Sequence, residues 1–295
     1  MDYPLGPTGL WTGSFEALTR SEVRETVAEI EELGWSAVWI PETIGRESLT
    51  AATLLLSATE RITVATGISS IWARDAVTAG AAHRTITEAF PERFVLGLGV
   101  SHDMLVEGVR GHAYQRPYSA MVAYLEAMAA MPYVSAAPST PLRVVLAALG
   151  PKMLQLAAER ADGAHPYLQT PDHTASAREI LGPDAVLAPA QLVVLNTDPE
   201  AARAVARANL EAYLGAPNYR SNLLRLGFAE HDLADGGSDK LIDALVAHGD
   251  EDAIAARVGE HRAAGASHVC VQPLPTGPEF PMAEVRALAA ALVSG

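Results

Sequence analysis

The sequence predicts an α/β protein folded as one parallel (β/α)8 TIM barrel. Three observations predict it. Short apolar, β-branched runs alternate with longer helical patterns from end to end, eight times in all. The runs are apolar along their whole length, as in parallel strands covered by helices, rather than alternating in and out. No GxGxxG follows an early strand, which disfavours the rival open doubly wound sheet.

The elements follow in order. Leu10-Trp11-Thr12 leaves a Gly/Pro-rich start as the first strand. Ser21 is the expected N-cap of a helix with Val23, Val27, Ile30 and Leu33 on one face, ended by Gly34. Ala37-Val38-Trp39-Ile40 is a strand stopped by Pro41. A helix over 49–58, a strand over 62–66, a helix over 74–90 and a strand over 94–99 come next. Then come a helix over 118–131, a strand over 143–148, a helix over 152–161, a short strand over 163–167 and a helix over 172–181. A strand over 192–195 leads to a helix over 199–214 capped by Asp198. The last strand covers 267–271 and the last helix 283–293. The stretch 217–264 is longer than one crossover needs, so an insertion before the last strand is expected, helical over 241–247 and 251–264. No repeat or linker divides the chain, so one domain spans 1–295.

Composition narrows the function. The 295 residues carry 35 acidic and 21 Lys+Arg side chains, a net charge of −14. That charge, without a basic run, argues against nucleic acid and anionic membrane surfaces as partners. One cysteine, Cys270, allows no internal disulfide; it lies in an apolar run and reads as buried and inert. The start Met1-Asp2-Tyr3-Pro4 lacks a signal peptide's basic and apolar regions. A soluble cytoplasmic protein is the expectation.

In a barrel of this kind chemistry gathers at the carboxyl ends of the strands. Those ends deliver Glu42-Thr43, then Gly67-Ile68-Ser69-Ser70, Val100-Ser101-His102, Ala147-Ala148-Leu149-Gly150-Pro151-Lys152-Met153, and His165. Gly150-Pro151-Lys152 stands where a strand turns into a helix, with proline suited to the first turn. The helix start and Lys152 make either an anion site or an ordinary helix start with an exposed lysine. His102 is a proton-transfer candidate because its ordinary pKa lies near ~6.5. Glu42 is either a second proton-transfer group or an ion-pair partner for Arg46 or Arg74. Trp11, Trp39 and Trp72 either line the cup or pack the core. There is no HExxH spacing and no GxSxG elbow.

These residues carry a resemblance. Ala37 to Glu42, Thr66-Gly67-Ile68 with Arg74 after it, Pro91 to Gly99, and Ala147 to Met153 followed by Ala161-Asp162-Gly163 resemble, in that order, the bacterial luciferase-like superfamily. The likeness is strongest to its branch that uses the deazaflavin coenzyme F420, whose members include F420-dependent glucose-6-phosphate dehydrogenase and methylenetetrahydromethanopterin reductase. The resemblance implies a hydride-transferring oxidoreductase acting on a small organic substrate, and a homodimer. It implies a non-prolyl cis peptide at Gly67-Ile68 against the back of the coenzyme ring, and a phosphate loop over Ala148 to Met153. Thr43, Ser70, Val100, Ser101, Ala147 and His165 are then further coenzyme contacts. In the sugar-phosphate enzyme a glutamate stands where this chain has His102 and a histidine where it has Thr43. Those departures argue against glucose 6-phosphate as substrate. An FMN-dependent monooxygenase of the same superfamily, fed by a separate reductase, and a non-catalytic ligand-binding barrel are the alternatives.

Overall fold

A parallel sheet forms the centre of the molecule and helices cover its outside. The computed structural model describes residues 4–293; Met1, Asp2 and Tyr3, read above for a signal peptide, lie outside them. The strands are β1 (Thr8–Trp11), β2 (Ala37–Ile40), β3 (Thr63–Thr66), β4 (Ser69–Ser70), β5 (Phe94–Gly99), β6 (Val144–Leu146), β7 (Gly163–Ala164), β8 (Val186–Leu187), β9 (Ala190–Leu195), β10 (Val246–Gly249) and β11 (Val269–Pro273). The helices are α1 (Arg20–Glu32), α2 (Ser48–Ser57), α3 (Ala76–Ala89), α4 (Pro117–Ala130), α5 (Pro151–Arg160), α6 (Pro171–Leu181), α7 (Pro199–Leu214), α8 (Pro217–Arg225), α9 (Asp239–Leu245), α10 (Glu251–Ala263) and α11 (Met282–Leu292).

The hydrogen-bonded order is β10-β9-β11-β1-β2-β3-β5-β6-β7-β8, with β4 beside β5. Its paired strands are parallel, as in β1 with β2 and with β11. The sheet curls into a barrel because β8 and β9 are two halves of one extended segment. Ala188 N–H donates to Ala164 O on one side of it, and Cys270 N–H donates to Pro189 O on the other. The predicted TIM-barrel class is therefore the fold observed.

Strand alternation sorts the side chains. Trp11, Ala37, Trp39, Ala65, Val95, Val145 and Cys270 fill the barrel interior. Leu10, Val38, Val64, Leu96, Leu146 and Val271 face the helices. A separate apolar cluster joins α7, α8 and α9 to the outer side of β9 and β10 through Leu210, Leu223, Leu241, Ile242 and Leu245.

Four expectations need correction. The cap of α1 is Thr19, not Ser21: Thr19 N–H donates to Glu22 Oε2 at 2.7 Å, and its hydroxyl accepts from the Glu22 N–H, a capping box that puts Ser21 inside the first turn. The expected helix over 241–247 ends at Leu245, and Val246–Gly249 becomes a strand because its backbone pairs with Leu192 to Leu195 of β9. The 217–264 stretch thus adds a strand to the sheet as well as helices on it. The sixth and seventh strand runs also shift: β7 stops at Ala164, and the next run begins at Val186 rather than Leu192.

Candidate functional site

The carboxyl ends of the strands form one mouth, and its centre is the segment leaving β3. The Gly67-Ile68 peptide is cis. Gly67 N–H donates to Ile40 O at 2.7 Å, and Gly67 O accepts from Trp11 Nε1 at 3.1 Å. The Ile68 side chain turns toward β5. A Cβ added at Gly99 would lie 2.5 Å from Ile68 Cδ1, and one at Gly97 would lie 1.9 Å from Thr66 O. Gly97 and Gly99 are therefore glycines because β3 and Ile68 occupy the space their side chains would need.

A pillar of rings supports this segment from inside the barrel. Trp39 stacks on His165 at 4.4 Å between centroids and donates from Nε1 to His268 Nε2 at 3.0 Å. His165 Nδ1 donates to Ala188 O at 2.7 Å, which fixes the neutral tautomer with its lone pair on Nε2. That Nε2 is buried without a partner and would lie 2.9 Å from a Cβ on Gly67. Burial pushes the His165 pKa down to about 4. His165 thus lies behind the cis peptide in the barrel interior. Trp11 and Trp39 belong to the interior too, while Trp72 sits at the rim, donating to Val100 O at 2.9 Å.

Glu42, at the end of β2, is buried and holds three groups. Oε1 accepts from Ser48 N–H at 3.2 Å, Oε2 accepts from Ser70 N–H at 2.8 Å, and the Arg74 guanidinium pairs with it. Of the two arginines considered as its partner, Arg74 is the one in place. Arg46 instead donates to the carbonyls of Phe15 and Leu18. Thr43 is exposed, and its carbonyl accepts from Arg110 at 3.1 Å.

Beyond β5, Ser101 has a positive φ of 57° and leads to His102. A π-helix, Met104–Val109, follows, a form that recurs at functional sites. The half-buried His102 ring lies 5.4 Å from the Tyr219 ring and hydrogen-bonds the Asn218 side chain, both on α8. Burial lowers the His102 pKa, and Asn218 and Asp103 oppose that shift. Ile44, Met104 and Val109 stand exposed around the same rim, an apolar edge suited to organic substrates.

The loop after β6 carries Ala147 to Met153. Gly150 begins α5 with Pro151 in the first turn and no side-chain cap. The exposed Lys152 is not the only cation there. A Cβ on Gly150 would lie 3.2 Å from Arg225 Nη1, so the α8 guanidinium stands over the helix start. Behind the loop, His173 donates from Nε2 to Leu149 O at 2.9 Å and keeps a buried Nδ1 without a partner. Sequence reasoning missed α8 and Arg225. The only signal was the excess length of the 217–264 stretch. The glycine cradle, the open helix start and the two cations fit an anionic phosphate. Among the described residues no group of His, Cys, Asp and Glu is placed to hold a metal ion. No helix among them is long and apolar enough to cross a membrane.

A family model described as luciferase-like monooxygenase matches residues 7–268. A Mycobacterium tuberculosis protein with the provisional name of coenzyme F420-dependent oxidoreductase is 26% identical, over 89% of this chain and 94% of its own. An F420-dependent secondary alcohol dehydrogenase, solved with an F420–acetone adduct, superposes with a TM-score of 0.77 at 13% identity, covering 97% of this chain and 98% of that one. The F420-dependent tetrahydromethanopterin reductase of Methanopyrus kandleri gives 0.76 at 16% identity, covering 98% of both chains. The FMN-bound oxygenating constituent of a Pseudomonas putida diketocamphane monooxygenase gives 0.71 at 12% identity, covering 98% of this chain and 97% of that one.

Proposed function

The chain belongs to the luciferase-like monooxygenase family, and from that premise we propose that it is an F420-dependent oxidoreductase moving a hydride between the deazaflavin and a small organic substrate. The observation that carries the reading is the uncapped start of α5 at Gly150, with Lys152 and Arg225 beside it, at the carboxyl-end mouth that also holds His102. The F420-dependent names of several relatives support the choice of coenzyme.

When bound, F420 supplies the hydride donor or acceptor. The protein supplies the rest. Ile68 presents an apolar face to the ring. The Gly150 helix start and Lys152 hold the phosphate. Tyr219 and α8 cover part of the cup and limit water. His102, neutral at pH 7 because burial lowers its pKa, keeps one ring nitrogen on Asn218 and has the other free to take a proton from a substrate hydroxyl. In the opposite direction it returns that proton. Glu42 orients the segment from Ser48 to Ser70 through its backbone hydrogen bonds. Alcohols, ketones, imines and activated alkenes are the substrate classes for such a site, and one of the relatives is a secondary alcohol dehydrogenase. The active unit is a homodimer in this reading.

The test is a fluorescence titration of the purified protein with F420 and, separately, with FMN, followed by turnover of reduced and oxidised F420 against alcohols and ketones. Saturable F420 binding with F420-coupled turnover is the expected result. Selective FMN binding would replace the reading with a flavin monooxygenase. Tight F420 binding with no turnover across the panel would leave a ligand-binding barrel.

A further inference from the structure

We infer that Arg225 is the charge partner of the coenzyme's phosphate, so that α8 makes this chain select a phosphorylated coenzyme over its phosphate-free core. The inference rests on the proposed function and adds a residue from the 217–264 insertion, in which no phosphate contact was expected.

The geometry comes first. A Cβ at position 150 would lie 3.2 Å from Arg225 Nη1 and 3.6 Å from Nη2, so any side chain there would crowd the guanidinium. The arginine therefore stands beside the start of α5, a helix end with no side-chain cap of its own.

Its placement is built rather than incidental. Arg225 Nη2 donates to Asn222 Oδ1 at 2.8 Å, Asn222 Nδ2 donates to Gln169 Oε1 at 2.9 Å, and Gln169 Nε2 donates to Tyr167 O at 3.0 Å. Asn222 and Gln169 are 2% and 1% exposed. Two buried amides thus tie the arginine to the segment that leaves β7. A buried amide chain of this kind is stable only when each member is satisfied, so it fixes its last member in one position.

Charge completes the argument. Among the described residues no carboxylate forms an ion pair with Arg225, whereas Arg203 and Arg207, on neighbouring α7, pair with Asp239 and Asp243. The nearby imidazole of His173 is neutral, since burial and Arg225 both lower its pKa. An exposed guanidinium held over an open helix start, with nothing anionic beside it, is a site for a tetrahedral oxyanion. Lys152 contributes a point charge on a free stem, while Arg225 contributes a fixed fork.

The test compares dissociation constants for F420 and for its ring–ribityl core, which lacks the phosphate, in the wild type, Arg225→Gln and Arg225→Lys, at low and high salt. The wild type should favour F420. Arg225→Gln should reduce that preference about 10- to 100-fold, the size expected for one charged hydrogen bond, with core affinity unchanged and a flatter salt dependence. Arg225→Lys should restore part of it. An unchanged preference in Arg225→Gln overturns the inference while leaving the F420 reading intact, and so does an equal loss for core and coenzyme. A wild type that binds neither compound overturns the F420 reading itself.

Discussion

At the scale of single residues, the two proton-transfer candidates have separated. Glu42 spends its oxygens on Ser48, Ser70 and Arg74, which makes it a positioning residue for the β3 loop. Glu42→Gln leaves Arg74 with only the more exposed Glu47 as countercharge, so the expected cost lies below the ~3–5 kcal/mol of breaking a buried pair outright. Urea unfolding should report that loss. His102 stands half-buried at the mouth with a pKa lowered by burial. His102→Ala should lower turnover about 10²–10⁴-fold, as for loss of an acid–base group, while the F420 dissociation constant stays near wild type. Because the neutral ring is the base and its pKa lies below the ordinary ~6.5, wild-type alcohol oxidation should hold its rate as pH falls through 6.5 and drop only further down. A pH–rate profile checks this, and a midpoint above 6.5 would remove His102 from the role.

At the scale of elements, glycines in β5 decide whether the mouth can form. Gly97→Ala would put a methyl 1.9 Å from Thr66 O, which is backbone and cannot swing away. The expected cost is at the upper end of the ~1–3 kcal/mol typical of overpacking, with coenzyme affinity falling alongside stability. Gly182→Ala, with open space around it but a φ of 79°, is the comparison, since it strains a surface turn without touching the mouth. Near-wild-type F420 binding in Gly182→Ala and lost binding in Gly97→Ala would assign the effect to the β3–β5 contact. These elements were largely legible in the sequence: β2 and β5 have the predicted bounds, and α7 has its Asp198 cap. The α5 start was legible from Pro151 itself, whereas the cis pair was legible only through resemblance, as no local pattern encodes ω. The polar run of α8, Pro217–Arg225, is only nine residues long, with Tyr219, Asn222 and Leu223 turned inward, and Arg225 meets Gly150 only through tertiary packing. Val246 and Ala247 continue an apolar helical spacing and became a strand because β9 offered backbone partners. There a long-range contact overrode the local signal, whereas the missed α1 cap was a local matter, the Thr19–Glu22 box.

At the scale of the whole molecule, buried histidines make stability depend on pH. His83, His165, His261 and His268 are each at most 1% exposed. Burial lowers the His83 pKa to about 3 and those of His165, His261 and His268 to about 4. The unfolded chain takes up these protons near pH ~6.5, the folded chain only near 4. Between those values the unfolded state binds more protons, so stability is complete above 6.5 and falls as pH drops toward 4. Each such histidine contributes a slope of up to about 1.4 kcal/mol per pH unit, and four give roughly 5. Against an ordinary domain stability of ~5–15 kcal/mol, urea midpoints should decline steeply from pH 6.5 and the fold should be lost before pH 4. His83 isolates the cause. Its Nε2 has no partner, and its ring meets the Phe94 edge in an apolar site. His83→Leu should therefore remove about a quarter of the slope, stabilising the protein more at pH 5 than at pH 7.5. Equal shifts at both pH values would mean that His83 binds its proton alike in the folded and unfolded chain, and that the acid sensitivity arises elsewhere.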